Sequence, residues 1–248
     1  MADVLETSED AVLGGRLRLR QPLAGHRVGH DAILLAAATG GRAGEHAVDL
    51  GTGVGAAGLA LAARVPGLKV TLVEIDAALC DLAAGNARLN ELADRVDVLN
   101  TDVEDAAFAG SVDRVLMNPP FHDATRQNVS PDPRKRLAHA AAPDLLPCWV
   151  AAAARLLKPQ GVLTLIWRAD GLGDVQDALA TKFGGIAVLP VQPRPGADAI
   201  RVLVRAVKDG RGAPVNYPAL VLNDEQGRPT AAAEAVLRGG ATLEITKD

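Results

Sequence analysis

The chain has 248 residues, 48% hydrophobic and only 2% aromatic, with a formal net charge of −4. That length supports one large core, and the Ala-, Val- and Leu-rich balance favours an α/β protein over an all-β sandwich. The acidic balance excludes a global field for nucleic acid, so any polyanion has to be met by a local basic patch. Cys80 and Cys148 lie far apart with no CxxC, and the five histidines lack metal-ligand spacing, so neither a disulfide framework nor a metal site is indicated. No apolar run is long enough for a bilayer, and Met1 to Glu6 lacks the basic start of a signal peptide. The expectation is a soluble cytoplasmic protein.

Residues 1–13 are polar and acidic and are expected to fray. Arg16-Leu17-Arg18-Leu19-Arg20 alternates with period two, which predicts a strand with one cationic face. That face is either a charge-protected solvated edge or, with Arg27, a positive surface. Ala32 to Ala38 reads as a helix ended by Gly40-Gly41, with Asp31 placed to cap or favour its first turn. His46 to Leu50 is a short buried strand, Gly51 to Gly55 a glycine loop, and residues 56–64 a helix ended by Pro66-Gly67.

Lys69 to Glu74 is a second strand, and Asp76 caps a helix carrying Leu79, Leu82, Ala83 and Leu89 on one face. Arg95 to Leu99 and Val112 to Met117 are the third and fourth strands. Leu145 to Leu157 is a helix stopped by Lys158-Pro159-Gln160-Gly161, and Val162 to Trp167 a strand. Val175 to Phe183 is a helix, followed by strands at Ile186 to Leu189 and Ile200 to Val207. Strands alternating with helices at this spacing predict a doubly wound, mostly parallel seven-stranded sheet with helices on both faces. Beyond it, Ala219 to Leu222 reads as a strand and Ala231 to Leu237 as a helix. The organisation expected is an N-terminal extension at residues 1–42, a main domain at 43–208 and a C-terminal appendage at 209–248.

In such sheets ligands bind outside the carboxyl ends of the strands. Asp49, Gly51, Glu74, Asp102 and Asn118 all fall there. Gly53-Val54-Gly55-Ala56-Ala57-Gly58 satisfies the dinucleotide pattern GxGxxG, with Glu74 near the spacing of a ribose-binding acid. Asp49, just before the first glycine, instead suits a cofactor bearing cationic ammonium and sulfonium groups, since it would repel a pyrophosphate. Asn118-Pro119-Pro120-Phe121 ends the fourth strand with a stiff turn, side-chain and backbone carbonyl acceptors, and a flat apolar ring. Those elements suit the grip of a planar group through its exocyclic NH2.

This set resembles the class I S-adenosylmethionine-dependent methyltransferases, and Asn118 to Phe121 resembles the (N/D/S)PP(Y/F/W) signature of their amino-methylating members. The resemblance implies that Asp49, Gly51, Thr52, Gly53 and Gly55 hold the methionine moiety. It also implies that Glu74 and Ile75 meet the ribose side, and Asp102 and the Val103 amide the adenine. Asn118 and Pro119 would accept from the amine, Pro120 would stiffen the turn, and Phe121 would stack the ring. No strong base is needed, because the amine becomes acidic once alkylated.

A narrower likeness covers roughly residues 14–208. His26 to Leu35, the glycine loop, and Asn-Pro-Pro-Phe before a basic segment are similar to the bacterial tRNA(Val) adenine-N6 methyltransferase family, of the small-domain methyltransferases. It implies an adenine splayed out of an RNA, with His30 and Asp31 closing over the cofactor. The segment after the motif, with Arg126, Arg134, Lys135 and Arg136, reads either as a crevice-rim loop that holds phosphates or as a solvated lid. Phe121 stands where Tyr is usual. A protein-glutamine N5 methyltransferase shares the motif and remains the alternative, as does a small-molecule methyltransferase.

Overall fold

The computed structural model describes residues 6–24, 27–107, 110–120 and 145–246. The first five strands are β1 (Thr7–Val12) and β2 (Leu17–Pro22), which form a sheet of their own, and β3 (His46–Leu50), β4 (Lys69–Glu74) and β5 (Val96–Asn100). Then follow β6 (Val112–Met117), β7 (Leu157–Arg168), β8 (Phe183–Gln192), β9 (Arg201–Lys208) and the two-residue β10 (Val215–Asn216) and β11 (Leu220–Val221). The helices are α1 (His30–Ala38), α2 (Ala56–Arg64), α3 (Ala77–Leu89), α4 (Leu145–Leu156), α5 (Leu172–Leu179) and α6 (Ala231–Leu237). The main sheet runs β10-β8-β9-β7-β6-β3-β4-β5, with β11 also on β8. β9 is antiparallel to β7 and β8, and the other pairings are parallel.

Period-two alternation divides the sheet's side chains between two cores. Ala47, Leu72, Leu116 and Ile166 face α1, α2 and α3, while Val48, Leu50, Met117 and Leu165 face α4 and α5. The strand order reverses between β3 and β6, where parallel crossovers leave to opposite sides. A crevice opens at that point over the strands' carboxyl ends.

The N-terminal stretch is ordered from Thr7, contrary to the expected fraying. β1 pairs antiparallel with β2 through six residues, and Leu17 and Leu19 are fully buried beneath the ladder. Apolar periodicity could not flag β1, because pairing and charge hold it. Arg18 and Arg20 pair with Glu9, Arg27 pairs with Asp10, and Arg16 donates to the Gly239 carbonyl. Glu9 and Asp10 of β1 therefore meet three of the four arginines, which leaves the face partly compensated in charge.

Three boundaries also differ from expectation. β7 starts at Leu157, directly after α4, because Leu157 pairs with Val112 before residues 158–161 bulge out and pairing resumes at Val162. Phe183 opens β8 rather than closing the preceding helix, and it pairs with Lys208. Its side chain is buried, which pulls it into the sheet. α1 starts at His30 rather than Ala32, with Gly29 as its cap residue; Asp31 stands in its first turn, as one half of the expectation had it, and its carboxylate accepts from Arg201 Nε at 2.8 Å. That ion pair ties the start of α1 to the start of β9, at the carboxyl edge of the parallel strands. Past β9, α6 packs on the α1 core through Val236, and the Leu243 amide donates to the Ala37 carbonyl at 2.9 Å.

Candidate functional site

Four neighbouring strands end together. In register, Leu50 pairs with Met117 on one side and Val73 on the other, and Glu74 pairs with Asn100. Gly51 therefore lies between Asn118 and Glu74, with the end of β5 one strand further. The sequence-selected residues Asp49, Gly51, Glu74, Asp102 and Asn118 occupy one continuous edge.

Asp49 is 2% exposed and points from β3 toward α2. Its Oδ2 accepts from Thr52 Oγ1 at 2.6 Å and from the Gly58 amide at 2.9 Å, so it locks the glycine loop onto the first turn of α2. Gly58 has to be glycine here. A Cβ on it would meet Leu72 and lie 3.1 Å from the Asp49 oxygen. Burial pushes the Asp49 carboxyl up to about 7; the Thr52 and Gly58 hydrogen bonds oppose that rise, and the Glu74 charge adds to it. A carboxylate this poorly solvated is stabilised by a nearby cation.

Glu74, 8% exposed, works as a three-way acceptor. Its Oε2 takes the Gly53 amide at 2.9 Å, and its Oε1 takes the Ile75 and Asp76 amides at 2.9 and 3.0 Å. The same carboxylate thus braces the glycine loop and the exit from β4. Asn100 Nδ2 completes the brace by donating to the Glu74 and Ile75 carbonyls, both at 3.0 Å. Asp76 caps α3 as expected, accepting from the Ala78 and Leu79 amides.

Ile75 is 40% exposed, an apolar surface left on the rim beside Glu74. Gly53 has no atom within 4 Å of where a Cβ would stand, so the loop's outer side opens to the crevice. Asp102 follows β5 and accepts from the Glu104 amide at 3.0 Å, with Val103 buried beneath it. His30 is exposed at the first residue of α1, on the same edge of the sheet through the Asp31–Arg201 pair.

Directly after β6 the Asn118 Oδ1 is buried and accepts no hydrogen bond among the described residues. Pro119 is buried and Pro120 exposed. An orphaned buried carbonyl oxygen costs about 1–3 kcal/mol unless something donates to it. Phe121, Arg126, Arg134, Lys135 and Arg136 lie outside the described residues.

Two residues of this site were not found by sequence reasoning. Trp149, on α4, lays its benzo ring over Gly51, where a Cβ would run into Cη2 and Cζ3. Gly51 also has φ +66°, so both its backbone and the indole above it exclude a side chain. Nothing in the local pattern separates Trp149 from a core aromatic. Asn86, on α3, is fully buried and donates to the Val54 carbonyl inside the glycine loop at 2.9 Å. Its signal is an amide on an otherwise apolar helix face, which is legible only as an oddity.

The donor set fits a cofactor with a cationic end, a diol and a flat ring: a buried acid seeking positive charge, a second buried acid at the next strand end, and an exposed isoleucine beside it. An unsatisfied amide oxygen stands one strand away. The strand order and the edge together define the class I S-adenosylmethionine-dependent methyltransferase fold. The match to the methyltransferase small domain covers residues 27–193, and the chain belongs to that family.

A Porphyromonas gingivalis protein named tRNA1(Val) (adenine(37)-N6)-methyltransferase is 33% identical over 164 residues, 62% of this chain and 64% of that protein. A release factor glutamine methyltransferase from Chlorobaculum tepidum is 31% identical over 152 residues, 57% of this chain and 52% of that protein. The chain thus aligns with somewhat under two thirds of the first relative's length and about half of the second's. A crystal structure from Agrobacterium tumefaciens, described as a predicted O-methyltransferase, superposes with a TM-score of 0.72 at 28% identity, covering 86% of this chain and 98% of that one. No helix among the described residues is long and apolar enough to cross a membrane.

Proposed function

We propose that this protein is an S-adenosylmethionine-dependent N-methyltransferase acting on the exocyclic N6 amine of an adenine in RNA, with tRNA as the substrate. The observation that carries the reading is the unpartnered Asn118 Oδ1, buried at a strand end one position across from Gly51. An NH2 group supplies the missing donor. The relatives named for tRNA adenine methylation support the choice of base and of RNA.

When bound, S-adenosylmethionine supplies an electrophilic methyl group on a sulfonium. Asp49 and the loop from Gly51 to Gly55 form the cationic-end pocket, Glu74 and Ile75 the ribose side, and Asp102 with the Val103 amide the adenine side. An amine conjugated to a ring is a weak nucleophile because its lone pair is delocalised. Asn118 Oδ1 and the Pro119 carbonyl take its two protons as hydrogen bonds, orienting the nitrogen and stabilising the positive charge that grows on it. The stiff Pro119-Pro120 turn keeps those acceptors from collapsing, and Phe121 stacks the ring. The extra proton leaves the alkylated amine for solvent without a dedicated base. Arg126, Arg134, Lys135 and Arg136 meet phosphates, and His30 closes over the cofactor from the start of α1. We read residues 1–42, 43–208 and 209–248 as the extension, catalytic domain and appendage of this enzyme.

The protein-glutamine N5 reading stays open because the same acceptors suit a carboxamide NH2, and the Chlorobaculum tepidum relative carries that name. Incubation with methyl-labelled cofactor and separated tRNA, rRNA, DNA and protein fractions decides between them. Label in tRNA, recovered as N6-methyladenosine after nucleoside digestion, is the expected result. Label confined to protein overturns it.

A further inference from the structure

The edge of β2 that faces away from β1 meets no further strand among the described residues; it meets α3. Asn86 Oδ1 accepts from the Arg20 amide at 2.7 Å, and its Nδ2 donates to the Arg20 carbonyl at 2.9 Å. One turn later Asn90 does the same for Arg18, accepting from its amide at 2.8 Å and donating to its carbonyl at 2.7 Å. The spacing works because four helical residues rise about 6 Å and two strand residues about 6.6 Å. Two side-chain amides therefore stand in for a neighbouring strand.

The two clamps differ at one atom. The second Nδ2 hydrogen of Asn90 returns to the Asn86 carbonyl of its own helix, at 2.7 Å. That of Asn86 goes to the Val54 carbonyl at 2.9 Å. Val54 lies between Gly53, whose amide Glu74 holds, and Gly55, which opens α2. Asn86 is fully buried, so water cannot replace any of these bonds.

We infer that Asn86 is a positioning residue that couples the N-terminal hairpin to the glycine loop, so that hairpin docking and cofactor binding reinforce each other. The inference rests on the cofactor lying at that loop. Coupling of this kind is reciprocal: a ligand that holds the loop also holds β2 at Arg20, and breaking the Asn86 link frees the two from each other. Asn90 supplies an internal control, since it clamps β2 two residues away, at Arg18, and its loss leaves the Asn86 link between Arg20 and Val54 in place.

Titration calorimetry with S-adenosylhomocysteine on the full chain tests it. Asn86→Ala weakens binding about five- to tenfold, within the range of ordinary coupling energies, while Asn90→Ala stays within about twofold although both lower Tm. Hydrogen exchange on the unmodified protein gives a second readout if Asn86→Ala fails to fold. The ligand then slows the Arg20 amide several-fold more than the amides of β8 and β9. Equal affinities for the two variants, or hairpin amides indifferent to the ligand, overturn the coupling and leave Asn86 a structural clamp. Failure of the unmodified protein to bind the ligand at all overturns the cofactor site itself, and the coupling with it.

Discussion

The glycine loop and the Asn118 turn sit side by side on adjacent strands, yet they treat their polar atoms in opposite ways. In the loop both buried acids are engaged: Asp49 by Thr52 and Gly58, Glu74 by Gly53, Ile75 and Asp76. In the turn a buried amide oxygen accepts no hydrogen bond from the described residues. One region is shaped before any ligand arrives. The other holds an unmet acceptor, which stabilises a donor only while that donor is present. Binding and chemistry are thereby assigned to different strands and should separate on mutation.

The largest effect is expected at the turn. Asn118→Ala should lower kcat about 10²–10³-fold, the usual loss for one preorganised transition-state hydrogen bond, with cofactor affinity within about twofold. Steady-state kinetics beside calorimetry checks this; equal losses in both would erase the contrast between the two regions. Asp49→Ala is expected to do the reverse, weakening cofactor binding about tenfold or more with a smaller change in kcat.

The pH dependence sharpens the same contrast. Burial holds the Asp49 carboxyl up at about 7 in the folded chain, well above the ordinary carboxylate range. The folded state therefore holds its proton over a range where the unfolded chain has lost it. Its contribution favours folding below about pH 4 and fades as pH rises through 7. Relative to wild type, Asp49→Asn should gain thermal stability between pH 5 and 8, while wild-type affinity for the cationic cofactor should rise over the same interval. A flat difference in Tm across that interval would place the ionisation elsewhere.

A smaller loss, of stability, is expected at Gly51. Gly51→Ala meets both a positive φ and the Trp149 ring, costing about 1–3 kcal/mol, or a Tm lower by roughly 3–10 °C. Adding Trp149→Leu should restore the part due to collision and not the part due to backbone. The smallest effect belongs to Glu9→Gln in the hairpin, an exposed partner of Arg18 and Arg20. It should move Tm barely, and not at all in high salt.

Much of this architecture was legible because burial writes itself into sequence as periodicity. Val48 and Leu50 alternate with Ala47 and Asp49 since each sheet face has its own core, and the polar residues marking strand ends line the crevice for that reason. What stayed hidden depends on partners distant in the chain. β1 is held by Glu9 and Asp10 meeting arginines of β2 and beyond, so its alternation carries no apolar signal. Leu157 joins the sheet early because Val112 is there to pair with it. Trp149 and Asn86 gain their meaning only from Gly51 and Val54, which the fold brings to them.

The far boundary of the main sheet carries a further consequence. The segment after β9 lies along β8 as two dipeptides, at Val215–Asn216 and Leu220–Val221, with Pro218 between them. A fringe so short and interrupted satisfies β8 yet offers no continuous row of amides and carbonyls outward. Self-assembly by strand addition is thus discouraged at that flank, and a protein under no obligation to stack there keeps the long strand's surface for itself.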